Sequence, residues 1–104
     1  EAEDSPLRRF GDVEVDLSRR VVTRAGVEVH LTQLEYGLLA VLLANDGKVM
    51  THRQLMREVW GQGHAEQGHY LKVYIGRLRQ KLEPNPTQPR YFLTETGVGY
   101  RFQS

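Results

Sequence analysis

The chain has no cysteine, which excludes disulfides, thiol catalysis and cysteine-ligated metal and is compatible with a cytoplasmic location. Serine is confined to Ser5, Ser18 and Ser104, outside any plausible core, and there is no nucleophile elbow, phosphate loop or carboxylate cluster. An enzyme is therefore not expected, nor is a cofactor. No apolar run approaches the roughly 18 residues of a membrane span, so no membrane partner is expected either. Repeats and low-complexity segments are absent. A length of 104 residues fits one domain with one modest core.

Net charge is also small, at +1, but it is unevenly placed. Residues 1–47 carry five basic and nine acidic groups, residues 48–81 carry seven basic and two acidic, and the remainder is balanced. Positive charge concentrated in one segment favours a polyanionic partner. That segment ends in His69-Tyr70-Leu71-Lys72-Val73-Tyr74-Ile75-Gly76-Arg77-Leu78-Arg79-Gln80-Lys81-Leu82, which reads as a helix to Glu83, stopped by Pro84. Leu71, Ile75, Leu78 and Leu82 form one apolar stripe. His69, Tyr70, Val73, Arg77 and Gln80 fall opposite it, with Lys72, Arg79 and Lys81 on the flanks.

Residues 1–6 read as a linker remnant and 7–104 as the domain. Val13 and Val15, Val21-Val22-Thr23, and Val27, Val29 and Leu31 read as short antiparallel strands, with Ala25-Gly26 a turn. Thr32 and Glu35 form a capping box that starts an apolar helix ended by Asn45-Asp46-Gly47. Val49-Met50 is a short extended link. Thr51 and Gln54 repeat the cap for a second helix, running to about Trp60, with Leu55, Met56 and Val59 inward. Gly61-Gln62-Gly63-His64-Ala65-Glu66-Gln67-Gly68 is a loop. His64, Glu66 and His69 lack a further good ligand, and the glycines loosen their spacing, so no metal is expected. Tyr91–Thr94 and Tyr100–Phe102 read as a hairpin turning at Thr96–Gly99.

Two helices, a basic helix and a glycine-tipped hairpin follow the order of a winged helix-turn-helix, an α+β fold in which the third helix enters the major groove of double-stranded DNA. Arg77 can pair with guanine O6 and N7. Lys72, Arg79 and Lys81 suit phosphates. Val73 reads either as a contact to a thymine methyl or as a scattered exposed apolar residue. Gly76, unfavourable inside a helix, either permits close backbone approach or relieves packing. The amino end of the second helix, with Thr51, His52 and Arg53, favours a phosphate. Trp60 reads as core, with an indole N–H that can also reach the DNA backbone. A winged-helix protein-interaction module is the alternative, since fold does not fix function.

Leu31–Leu39, Arg53-Gln54-Leu55 with Val59-Trp60-Gly61, Arg77–Leu82 and Gly97–Phe102 together resemble the output domains of OmpR/PhoB-type response regulators. His69-Tyr70-Leu71, Tyr74-Ile75-Gly76 and Thr94-Glu95-Thr96-Gly97 are most similar to members that regulate potassium-transport operons. The resemblance implies an N-terminal four-stranded antiparallel sheet, three helices and a C-terminal β-hairpin wing. It implies activation of transcription, by a tandem dimer on direct-repeat promoter DNA. It also implies a receiver domain, missing from this chain and phosphorylated by a sensor kinase, and it turns the loop Gly61–Gly68 toward RNA polymerase. Recognition positions of the family fall on His69, Tyr70, Val73, Tyr74, Arg77 and Arg79. Thr94, Thr96 and Gly97 of the wing are expected at the DNA backbone. Some members carry an arginine where Thr96 stands, so the charge they insert into the minor groove is lacking here.

Overall fold

The computed structural model describes residues 6–61 and 68–104; the side chain of His69, the loop 62–67 and residues 1–5 lie outside the described residues. Strands β1 (Leu7–Phe10), β2 (Val13–Asp16), β3 (Val21–Arg24) and β4 (Val27–Val29) form an antiparallel sheet in sequence order. Each link is a tight turn with its own chemistry. Gly11 (φ 56°) turns β1 into β2, and Ala25 (φ 53°) with Gly26 (φ 81°) makes the two-residue β3–β4 hairpin, whose positive φ values match the strand twist. Between β2 and β3, one Asp16 carboxylate oxygen accepts from the Ser18 amide, the Ser18 hydroxyl and the Arg19 amide. Phe10, Val13, Val15 and Val22 point inward, so the alternation seen in the sequence is the buried face.

Helix α1 (Gln33–Ala44) starts at the expected capping box: Thr32 Oγ1 accepts from the Glu35 amide and Glu35 Oε1 accepts from the Thr32 amide. Leu38, Leu39, Leu42 and Leu43 are buried, and α1 packs on both later helices. Burying each such leucine contributes about 1.5–3 kcal/mol. α2 (His52–Trp60) has its own box from Thr51 and Gln54. Leu55 and Met56 are buried and Val59 is half-buried. α3 (Gly68–Leu82) buries Leu71, Ile75, Leu78 and Leu82, the stripe read from the sequence.

Strands β6 (Phe92–Glu95) and β7 (Gly99–Phe102) form the expected hairpin, with Gly97 (φ 78°) in its turn. The link at Val49-Met50 is more than a link. It is strand β5 (Val49–Thr51), paired with β7 so that Thr51 faces Gly99, giving a three-stranded sheet ordered β5-β7-β6. The wing is thus continuous with the residue that caps α2. α3 also ends one residue earlier than expected, at Leu82. Glu83 then turns inward, 1% exposed, and its carboxylate accepts the amides of Arg90, Tyr91 and Phe92 at 2.8 Å each.

Candidate nucleic-acid interface

The outward side of α3 carries Tyr70, Val73 and Arg77, all exposed, with Lys72 and Gln80 beside them. Tyr74 sits at the edge of this face. It is half-buried, with its ring edge-on to Trp60 at 5.2 Å and the Arg77 guanidinium over its face at 4.8 Å. Stacking on an aromatic ring restricts the guanidinium without consuming its hydrogen-bond donors. Trp60 is half-buried against the core, so its carbon skeleton packs while one side stays accessible.

An open cleft of ≈ 290 Å³ lies where α2, α3 and the wing meet, lined by His52, Lys72, Thr94, Glu95, Thr96, Gly97 and Tyr100. Five of these were expected at the DNA backbone from the sequence, and the fold brings them together from three separate segments. The His52 ring stands 5.5 Å from that of Tyr100. Burial pushes the Tyr100 hydroxyl above its usual range, partly countered by the Arg79 charge, so it stays a neutral phenol in ordinary buffers. Glu95, the one acid among the described lining residues, pairs with Arg101 at 3.1 Å.

At the amino end of α2, three amides are engaged within the protein. The Thr51 amide donates to Gln54, the Gln54 amide to Thr51, and the His52 amide to the Val98 carbonyl of the wing turn. This end also presents the exposed side chains of His52 and Arg53.

Two cations on α3 point elsewhere than the sequence suggested. Lys81 Nζ donates to Glu35 Oε1 at 2.6 Å and to the His30 carbonyl at 2.9 Å, between α3 and the start of α1. Its charge is already compensated by protein. Arg79 donates through Nε and Nη2 to the Phe92 carbonyl and through Nη2 to Thr94 Oγ1, which ties α3 to β6. Glu35 and Glu83 are the polar residues the sequence reading underrated. A glutamate at the third position of a capping box and one just before a proline both look like solvent-facing ends, and only the tertiary fold buries them.

The larger groove, ≈ 510 Å³, lies between the first sheet and the start of α1. It mixes Arg20, Glu28 and His30 and contains none of the expected site residues. No group of three or more potential metal ligands occurs among the described residues. Nor is any helix there long and apolar enough to cross a membrane.

Residues 26–102 match the family described as "Transcriptional regulatory protein, C terminal". The chain is 60% identical over 97 residues to the KDP operon transcriptional regulatory protein KdpE of Escherichia coli, covering 93% of this chain and 43% of that protein. It is 44% identical to KdpE of Mycobacterium tuberculosis, covering 97% of this chain and 45% of the relative. The chain thus spans less than half the length of these relatives. The response regulator DrrB of Thermotoga maritima, an OmpR/PhoB homologue, superposes with a TM-score of 0.85 at 33% identity, over 99% of this chain and 46% of that one. The DNA-binding domain of Klebsiella pneumoniae RstA, solved in complex with the RstA box, superposes at 0.82 with 29% identity, over 93% of this chain and 96% of that one. With three-quarters of its length matched by the family and the winged-helix architecture reproduced, this chain belongs to the C-terminal transcriptional regulatory protein family, with an OmpR/PhoB-type fold.

Proposed function

We propose that this domain binds double-stranded promoter DNA in a sequence-specific manner and serves as the output half of a two-component response regulator. The observation that carries the reading is the convergence of His52, Lys72, Thr94, Thr96 and Gly97 on one cleft beside the exposed face of α3. α3 lies in the major groove. His69, Tyr70, Val73, Tyr74 and Arg77 read bases, and the cleft takes the adjacent phosphates with help from Arg53 and Trp60. Phosphate contacts set register and affinity, whereas base-edge contacts set sequence. Arg79 and Lys81 move out of the first rank of DNA contacts, because Arg79 Nε and Nη2 and the Lys81 ammonium are already bonded within the protein.

The relatives extend the reading to the whole protein. The likeness to KdpE supports regulation of a potassium-transport (kdp) operon, in the cytoplasm, under a phosphorylated receiver domain. Tandem dimers on direct repeats, and contact of the loop Gly61–Gly68 with RNA polymerase, belong to the same proposal.

Arg77→Ala tests the central claim. On a duplex selected by the wild-type domain from a random pool it costs about 1–3 kcal/mol and relaxes discrimination at one base, with little loss on random DNA. Equal losses on both would leave Arg77 a phosphate contact. Failure of the wild-type domain to retard any duplex at low salt would favour the protein-interaction module instead.

A further inference from the structure

Arg79 leaves α3 on the side that faces the wing. Its Nε and Nη2 donate to the Phe92 carbonyl at 2.9 and 2.7 Å, and Nη2 donates to Thr94 Oγ1 at 2.8 Å. On the other side of the same residue, the Phe92 amide donates to the buried Glu83 carboxylate at 2.8 Å. Both backbone groups of Phe92 are therefore held by side chains from the end of α3 and the residue that follows it. β6 cannot slide along α3 without breaking charge-assisted bonds, which are roughly twice as strong as neutral ones. Thr94, two residues along β6, takes its position from this clamp.

The clamp also orients the Thr94 hydroxyl. A hydroxyl has one hydrogen to donate and two lone pairs that accept. With one lone pair accepting from a guanidinium, the hydrogen turns away from Arg79, and the adjacent positive charge makes it a stronger donor. Thr94 is exposed and lines the cleft with His52 and Lys72, so that hydrogen is available to an acceptor entering there. We infer that Arg79 is a positioning residue that acts through Thr94: it fixes the wing at a set distance from α3 and commits the Thr94 hydroxyl to donate to a phosphate oxygen of duplex DNA in the cleft. The inference rests on the DNA-binding reading above.

The test uses the selected duplex and the domain as it stands. Thr94→Val keeps the shape and the Arg79–Phe92 clamp but removes the hydroxyl; affinity falls about tenfold, the worth of one hydrogen bond to a charged group. Thr94→Ser restores affinity to within about twofold, because it returns the same donor. Arg79→Gln loses at least as much as Thr94→Val, and the double variant binds no more weakly than Arg79→Gln alone, since the two act in series. When single phosphates are replaced in turn by neutral methylphosphonates, one position erases the difference between wild type and Thr94→Val. Wild-type affinity in Thr94→Val overturns the inference. So do losses that multiply in the double variant, because Arg79 would then touch DNA by itself. If Arg79→Gln disrupts the wing, Thr94→Val with the methylphosphonate series decides alone. A wild-type domain that binds no duplex sinks the DNA-binding reading with it, whereas a binding wild type with an indifferent Thr94→Val sinks only the relay.

Discussion

Lys81 Nζ lies 2.6 Å from Oε1 of Glu35, a carboxylate only 2% exposed, and joins the last turn of α3 to the first turn of α1. The same oxygen accepts the Thr32 amide, and Arg77 Nη1 stands 4.0 Å from the other oxygen. Glu35 is therefore both the capping-box acid of α1 and the counter-ion for the base of α3. A charge this deeply placed is tolerated because amide, ammonium and guanidinium converge on it. Arg77, half exposed and stacked on Tyr74, gets its inner boundary from the same carboxylate.

Acid should weaken the fold through this group. Burial pushes the Glu35 carboxyl upward, but the Lys81 hydrogen bond, the Thr32 amide and the charges of Lys81 and Arg77 outweigh it and hold the group below its usual 4.5. A carboxyl depressed in the folded state stabilises it above the unfolded value, and that contribution is lost as pH falls through the folded one. Asp16, held down chiefly by the Ser18 hydroxyl, acts in the same direction on the exposed surface. Urea unfolding should give nearly constant stability from pH 7 to about 5, then a decline. Glu35→Gln should lose about 2 kcal/mol at pH 7, below the roughly 3–5 kcal/mol of a fully buried pair because Lys81 reaches solvent, and its decline in acid should be shallower. Parallel pH curves for the two proteins would show that Glu35 is not the group responsible.

Lysines on the same helix should separate by salt dependence. Lys72 is exposed in the cleft, while Lys81 is engaged by Glu35 and the His30 carbonyl. Lys72→Met should lower the slope of log affinity against log salt by about 0.9, one phosphate's worth, and leave thermal stability unchanged. Lys81→Met should leave the slope unchanged and lower stability, since it strands a buried carboxylate. A reduced slope for Lys81→Met would put its ammonium on the DNA after all.

Local patterns were legible in the chain. Period-two valines marked the first sheet, the boxes Thr32/Glu35 and Thr51/Gln54 marked two helix starts, and the Leu71–Leu82 stripe set the face of α3. The outward residues Tyr70, Val73 and Arg77 followed from that stripe alone. What escaped were relationships between distant segments. Lys81 and Arg79 look like any flank cations on a helical wheel. Their partners, Glu35 and Phe92, lie 46 and 13 residues away and become neighbours only on folding. β5 escaped for a similar reason, since three residues carry too little periodicity to announce a strand, and its partner β7 lies half the chain away, near the C-terminus.

Gly99 is fixed by that pairing. A Cβ on it would run into the Met50 carbonyl and crowd Thr51 Cα on β5, both backbone atoms that cannot swing aside. Gly99→Ala should therefore part β5 from β7 locally and lower stability by about 1–3 kcal/mol. Because Thr51 caps α2 and faces Gly99, DNA affinity should fall as well, even though Gly99 offers no side chain to DNA. Thermal melting and a gel shift on the same preparation check both; an unchanged melting temperature would mean that the strands separate without cost.

Gly76 is the contrasting case. It lies in the middle of α3 on the side shared by Lys72, Val73 and Gln80, and a Cβ there would meet no described atom within 4 Å. Of the two reasons the sequence offers for a glycine here, relief of packing against the described residues is removed, which favours close approach of a partner. A helix-interior glycine costs about 1 kcal/mol relative to alanine, so Gly76→Ala should raise the stability of the free domain by about that amount. If the DNA surface comes close to the bare backbone at this point, the same methyl must push it away. Affinity for the selected duplex should then drop about tenfold, equivalent to about 1.4 kcal/mol, while the melting temperature rises. Opposite signs for stability and binding are the signature, since a variant that merely damaged the fold would lower both. Greater stability with unchanged affinity would show that α3 docks with a gap at Gly76, turned further toward Tyr70 and Arg77.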